Sequence, residues 1–231
     1  MATETKGTAS DPTSNLESIQ ARIDEARKGA IMQPPQEVSI VAVGKRQPVS
    51  RIEALLDAGH RIFGESRVQE AQEKWPELRI RAPNVELHMV GPLQTNKAAD
   101  AVSLFDVIHS LDRPKLALKL GSELAKTGHR PRLLIQVNTG EEPQKAGVRP
   151  GNIDEFVHFC RHDCGLDIAG LMCIPPVNEE PSMHFVLLAR IARRHKFAAL
   201  SMGMSGDFKT AVQFGATHVR VGTALFGSRP S

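Results

Sequence analysis

Short apolar, β-branched runs alternate with amphipathic segments along nearly the whole chain. The runs are VSIVAVG (38–44), HRIFGES (60–66), VELHMVGP (85–92), LFDVIHS (104–110), RLLIQVN (132–138), LDIAGLMCI (166–174), FAALSMG (197–203) and THVRVGTA (217–224). Stretches with helical spacing separate them, among them VSRIEALLDAG, SRVQEAQEKW, DRPKLALKLGSELAKTG and PSMHFVLLARIARRHK. Such alternation is the signature of βα units feeding a parallel sheet. Eight units in 231 residues predict an α/β fold of the closed (β/α)8 TIM barrel type rather than an open doubly wound sheet. Upstream, Leu16, Ile19, Ile23 and Ala26 lie at helical spacing and predict one extra N-terminal helix, capped near Ser14 or Asn15 and stopped by Pro34-Pro35. The polar, aperiodic residues 1–13 predict a flexible arm, which leaves 14–231 as a single domain.

Composition narrows the function classes. The 29 Lys and Arg against 26 Asp and Glu give a formal charge of +3, too small and too dispersed for a nucleic-acid footprint or a membrane-seeking surface. No apolar run approaches the roughly 20 residues of a bilayer span. Cys160, Cys164 and Cys173 are odd in number and follow no signal-like start, so a secreted disulfide framework is not expected and a cytoplasmic location is. Cys160, His162 and Cys164 lack the second half of a structural zinc set, and the other histidines are scattered, so no metal is expected. There is no G-x-S-x-G elbow, P-loop or dinucleotide fingerprint.

In a barrel of this kind, function sits on the loops after the C-terminal strand ends. Those ends offer Lys45, Glu65-Ser66, the run GPLQTN (91–96), His109-Ser110, Asn138, Ser201 to Ser205, and Arg220 to Thr223. Singly, each has a plain explanation: a strand-end lysine snorkels to solvent, a His-Ser pair caps a helix, Gly-Thr makes a turn. Together they form a cationic, hydroxyl-rich mouth suited to a phosphorylated ligand. Ser205 precedes Gly206-Asp207 and a helical pattern, while Gly222 and Thr223 follow the eighth run, as in the phosphate cups that barrels build after strands seven and eight. The competing reading is that Ser205 or Asp207 only caps the next helix.

Taken in strand order, VAVGK, FGESRVQE, HMVGPLQTNK, IHSLDRPKLA, LIQVNTGEEPQKAGV, GLMCIPP, SMGMSGDFKTAV and GATHVRVGTALFG resemble the pyridoxal phosphate homeostasis protein family from about Val38 to Gly227. That family is similar to the N-terminal barrel of alanine racemase, a fold-type III pyridoxal phosphate fold, without the racemase's second domain. The resemblance implies pyridoxal 5'-phosphate as cofactor, held as a Schiff base on Lys45. It places Arg220 at the pyridine nitrogen and Ser205, Gly222 and Thr223 on the phosphate, with Ser201 assisting. Ser66 stands where the family has Asn near the cofactor, and Arg67 where it has Tyr. Lys145 matches a second family lysine, read either as a transient acceptor of cofactor or as a solvated loop lysine. An arginine at the ring nitrogen makes the cofactor a weak electron sink, and the chain has no tyrosine, the residue type that the related racemase uses as its second acid or base. The resemblance therefore implies a cytoplasmic, monomeric binder in vitamin B6 homeostasis that delivers cofactor to recipient apoenzymes, with no established catalytic residue. The alternatives are an amino-acid racemase of low activity and a phosphosugar barrel in which Lys45 is only an electrostatic clamp.

Overall fold

The predicted alternation resolves into eight parallel strands that close on themselves in chain order. In this computed structural model, which describes residues 11–32 and 36–227, the strands are β1 Ser39–Val43, β2 Ile62–Glu65, β3 Glu86–Met89, β4 Val107–Leu111, β5 Arg132–Val137, β6 Ile168–Cys173, β7 Ala199–Met204 and β8 His218–Val221. The helices are α1 Pro12–Lys28, α2 Val49–Asp57, α3 Val68–Arg81, α4 Ala98–Leu104, α5 Pro114–Leu124, α6 Ile153–His158, α7 Pro181–His195, α8 Phe208–Gln213 and α9 Thr223–Phe226. Each of the eight predicted runs contains one strand or all but its final residue. Closure comes from β8 returning to β1, with Ile40 opposite Val219, Val41 opposite Arg220 and Ala42 opposite Val221.

The strands read as near-continuous apolar runs because both of their faces are buried. One face meets the helices. Phe63 of β2, for example, packs against Trp75 of α3 with ring centroids 5.1 Å apart, and both are fully buried. The other face looks into the barrel: Leu133 and Ile135 join the outer core, while Leu134 between them belongs to a separate cluster with Val107 and Met172. The barrel is thus filled, not hollow.

The N-terminal helix begins earlier than the sequence predicts. Asp11 caps it, accepting hydrogen bonds from the backbone N–H groups of Thr13 and Ser14, and Pro12 occupies the first helical position, where its missing N–H has no cost. Pro12 and Thr13 therefore leave the predicted arm, whose residues 1–10 lie outside the described residues. The helix ends at Lys28, before Gly29; the predicted Pro34-Pro35 stop also falls outside the described residues. Ile19, Ile23 and Ala26 face inward, and α1 packs on α2, α8 and α9, covering the seam between the first and last βα units. Among the described residues no helix is long and apolar enough to cross a membrane.

Because Ile23 is fully buried, Ile23→Ala is expected to lower unfolding stability by about 2–5 kcal/mol. Ile31→Ala, at a side chain 68% exposed, should change it by less than about 0.5 kcal/mol. Urea unfolding of the two variants checks both.

Candidate functional site

Lys45 follows the end of β1 by one turn residue and is half-buried. It lines a cavity of about 910 Å3 at the barrel mouth with Ser66, Arg67, Gln94, Lys97 and Arg113 among the other walls. Helix α3 grips the backbone on both sides of it. Lys74 Nζ donates to the Gly44 carbonyl at 3.1 Å and to Glu70 Oε1 at 2.6 Å. Glu70 Oε1 in turn accepts from the Arg46 N–H at 2.6 Å, and Arg46 has a left-handed backbone, φ 57°. Beneath the grip lies Glu65, fully buried, which accepts from Trp75 Nε1 at 3.3 Å and has Lys74 Nζ at 3.6 Å. Burial pushes the Glu65 carboxyl up to about 7, against the pull of Lys74. Its second oxygen has no partner, as befits a group whose charged form is disfavoured.

The predicted phosphate cup lies one strand away, since β8 pairs with β1. Ser205 Oγ accepts from the Ala224 N–H at 3.2 Å, which ties the loop after β7 to the start of α9. Gly222 and Thr223 open that helix, and Thr223 is exposed. A Cβ built on Gly222 would meet only Val43, at 3.6 Å or more, so no protein atom demands a glycine there. Neither Ser205 nor Asp207 caps α8 through its side chain; Ser205 instead satisfies a first-turn N–H of α9. Asp207 Oδ1 accepts from the Met204 N–H at 2.6 Å, turning the loop, and α8 has no side-chain cap.

Two other predicted residues find different surroundings. Ser201 is fully buried and bonded to Arg220 Nη1 at 2.7 Å and His109 Nδ1 at 2.8 Å, so it belongs with Arg220 inside the barrel rather than with Ser205 and Thr223. Lys145 lies in the loop after β5, its ammonium 2.5 Å from Glu142 Oε2; Ala146 beside it lines the Lys45 cavity, but Lys145 is not among the lining residues. Arg220 is buried, its second amino group donating to the Cys173 carbonyl at 2.8 Å. His109, which the sequence offered as a helix cap, is fully buried between His88 and Ser201. Ser66 lines the same cavity as Lys45, and Gly91 lets the next loop close on it: a Cβ at position 91 would fall 2.3 Å from the Ser66 carbonyl oxygen. Among the described residues no cluster of three or more His, Cys, Asp or Glu could hold a metal ion.

Residues 14–230 match the model of the alanine racemase N-terminal domain family. The pyridoxal phosphate homeostasis protein of Vibrio alginolyticus is 37% identical over 227 residues, covering 93% of this chain and 96% of that protein. Its namesake in Escherichia coli K12 is 34% identical over 230 residues, 95% and 97% of the two chains. The chain belongs to the pyridoxal phosphate homeostasis protein family. PipY of Synechococcus elongatus, solved with PLP bound, superimposes with a TM-score of 0.80 at 35% identity, over 94% of this chain and all of PipY. Alanine racemase from Clostridium difficile shares the fold at TM-score 0.67 and 15% identity, with 94% of this chain covering 57% of the racemase.

Within this family member the grip on Lys45 has a pH signature. Between about 4.5 and about 7 the folded protein keeps the Glu65 proton that the unfolded chain has given up, so stability falls as pH rises through that window, by about 3 kcal/mol at most. Glu65→Gln should flatten that part of the profile, read from urea midpoints at several pH values. Gly91→Ala should destabilise by about 1–3 kcal/mol and shift the Ser66 loop, checked by unfolding and by amide exchange of residues 66–70.

Proposed function

We propose that this protein binds pyridoxal 5'-phosphate at the barrel mouth, holds it covalently through Lys45, and serves intracellular vitamin B6 homeostasis by delivering it to recipient apoenzymes. The observation that carries the reading is the pairing of a half-buried strand-end amine on β1 with a hydroxyl-bearing turn on the adjacent β8. The residues present fit the group by chemistry: Lys45 Nζ for an aldehyde, Ser205 and Thr223 for a phosphate, Arg220 for an aromatic nitrogen. When bound, the cofactor supplies an aldehyde that condenses reversibly with a primary amine, and a conjugated ring that makes the linkage visible.

The chain's own residues explain holding better than turnover. The α3 grip fixes the backbone on either side of Lys45, so the direction from which its amine reaches is set and only the side-chain torsions are ordered on reacting. Ser205 and Thr223 donate hydroxyl hydrogen bonds to a dianion, the strong, charge-assisted kind. Arg220 is a donor without an acceptor lone pair, so a ring nitrogen facing it stays unprotonated and carbanion chemistry is weakly supported. We place the protein in the cytoplasm as a monomer, and Lys145 at the cavity rim as a second amine for the cofactor on its way out, once released from Glu142.

Added pyridoxal phosphate should give the wild-type protein a visible absorption band that Lys45→Ala lacks. An unchanged band and stoichiometry in Lys45→Ala would overturn the reading. Ser205→Ala and Thr223→Val should each keep the band but weaken cofactor binding about tenfold or more, measured by equilibrium titration.

A further inference from the structure

The barrel interior holds a line of polar groups, buried except for the half-exposed Glu86 at its floor, that cofactor binding does not by itself explain. Arg220 Nη1 donates to Ser201 Oγ at 2.7 Å. Ser201 Oγ lies 2.8 Å from His109 Nδ1, His109 Nε2 lies 2.8 Å from His88 Nδ1, and His88 Nε2 lies 2.6 Å from Glu86 Oε1. The strands β4 and β7 are not neighbours, so the His109–Ser201 bond crosses the inside of the barrel. Glu86 opens β3 and Arg220 is next to last in β8, so the line climbs from the floor of the barrel toward its mouth.

The two ends fix the direction of every bond. A guanidinium only donates and an ionised carboxylate only accepts. With the His88 Nε2–H given to Glu86, a neutral His88 ring offers Nδ1 as an acceptor. His109 must fill it with its Nε2–H, which leaves His109 Nδ1 to accept the Ser201 O–H, and the Ser201 oxygen accepts from Arg220. Each bond then has one donor and one acceptor, with both rings neutral. The surroundings agree. Burial pushes both histidines below their ordinary range, His109 well below, and the His88 hydrogen bond, with further help from Arg132, holds Glu86 down at about 2. The charged or titratable neighbours of the two rings are Glu86 on β3, Asp106 before β4, Arg132 on β5, and His218 and Arg220 on β8; β7 contributes the uncharged Ser201.

We propose that Ser201, His109, His88 and Glu86 are positioning residues that form a one-way hydrogen-bond relay, fixing Arg220 at the ring of the bound cofactor and linking it to the barrel floor. The proposal rests on the reading of Arg220 given above. A proton added to either ring would reverse the donor order and place a second cation in line with Arg220, so the relay also makes cofactor binding sensitive to acid.

The donor order supplies the test. Glutamine at position 109 can accept from Ser201 and donate to His88, whereas leucine can do neither. His109→Leu should weaken pyridoxal phosphate binding about tenfold and move the acid midpoint of the visible band by about one pH unit or more, and His109→Gln should restore both. Wild-type affinity and an unmoved midpoint in His109→Leu would overturn the proposal. Should that variant not fold, Ser201→Ala, which removes one oxygen, decides by the same readouts. Independently of any cofactor, nitrogen-15 spectra of the unloaded protein should show both rings as Nε2–H tautomers, and an Nδ1–H tautomer at His109 would contradict the relay. A wild-type protein with no band at all would instead count against the proposed function, leaving the tautomer result to judge the relay.

Discussion

The barrel mouth depends on the pairing of β8 with β1. Hydrogen bonding between these strands, with Val41 opposite Arg220 and Ala42 opposite Val221, brings the two ends of the fold into register. It sets Val43, two residues before Lys45, beside Gly222, with Arg220 lower on β8 opposite Val41. A slip of one residue would turn Arg220 out of the interior and into the helix layer. The extra helix α1 reinforces this seam from outside, where its buried isoleucines pack on α2, α8 and α9. The covering helix and the strand-end residues of β1 and β8 thus rely on the same closure.

Two polar systems, one on each side of the sheet, hold the groups at the mouth. Outside it, Lys74, Glu70 and Glu65 secure the backbone around Lys45; inside it, the line from Arg220 to Glu86 secures the guanidinium. Buried polar groups are costly unless paired, and Glu65, His88, His109, Ser201 and Arg220 are all buried. The interior line pairs each of its groups, while Glu65 keeps one oxygen without a partner and a carboxyl that titrates near neutrality. Such paired, buried networks hold side chains in one orientation, as a site at a barrel mouth requires.

The sequence made the barrel legible because its strands are apolar on both faces and each is followed by an amphipathic helix. Lys45, Ser66, Ser205, Gly222 and Thr223 were legible for the related reason that strand ends mark the mouth. What periodicity cannot give is the partner of a side chain. Ser201 and Ser205 lie four residues apart on one strand and its turn, yet one is buried against Arg220 and the other bonds the start of α9. His109 at a strand end looks like a cap until β7 brings Ser201 across the barrel. Lys74 and Glu70 sit on a helix face that reads as ordinary solvent-facing charge, and Asp11 was hidden because the polar residues around it carry no hydrophobic period.

The central claim is that one amine, held at the end of β1, carries the cofactor. Borohydride reduction of the protein loaded with pyridoxal phosphate, followed by peptide mass mapping, tests it most directly. The account predicts a single stoichiometric adduct on the peptide containing Lys45. An adduct confined to Lys145 or spread over surface lysines, with the Lys45 peptide unmodified, would contradict it.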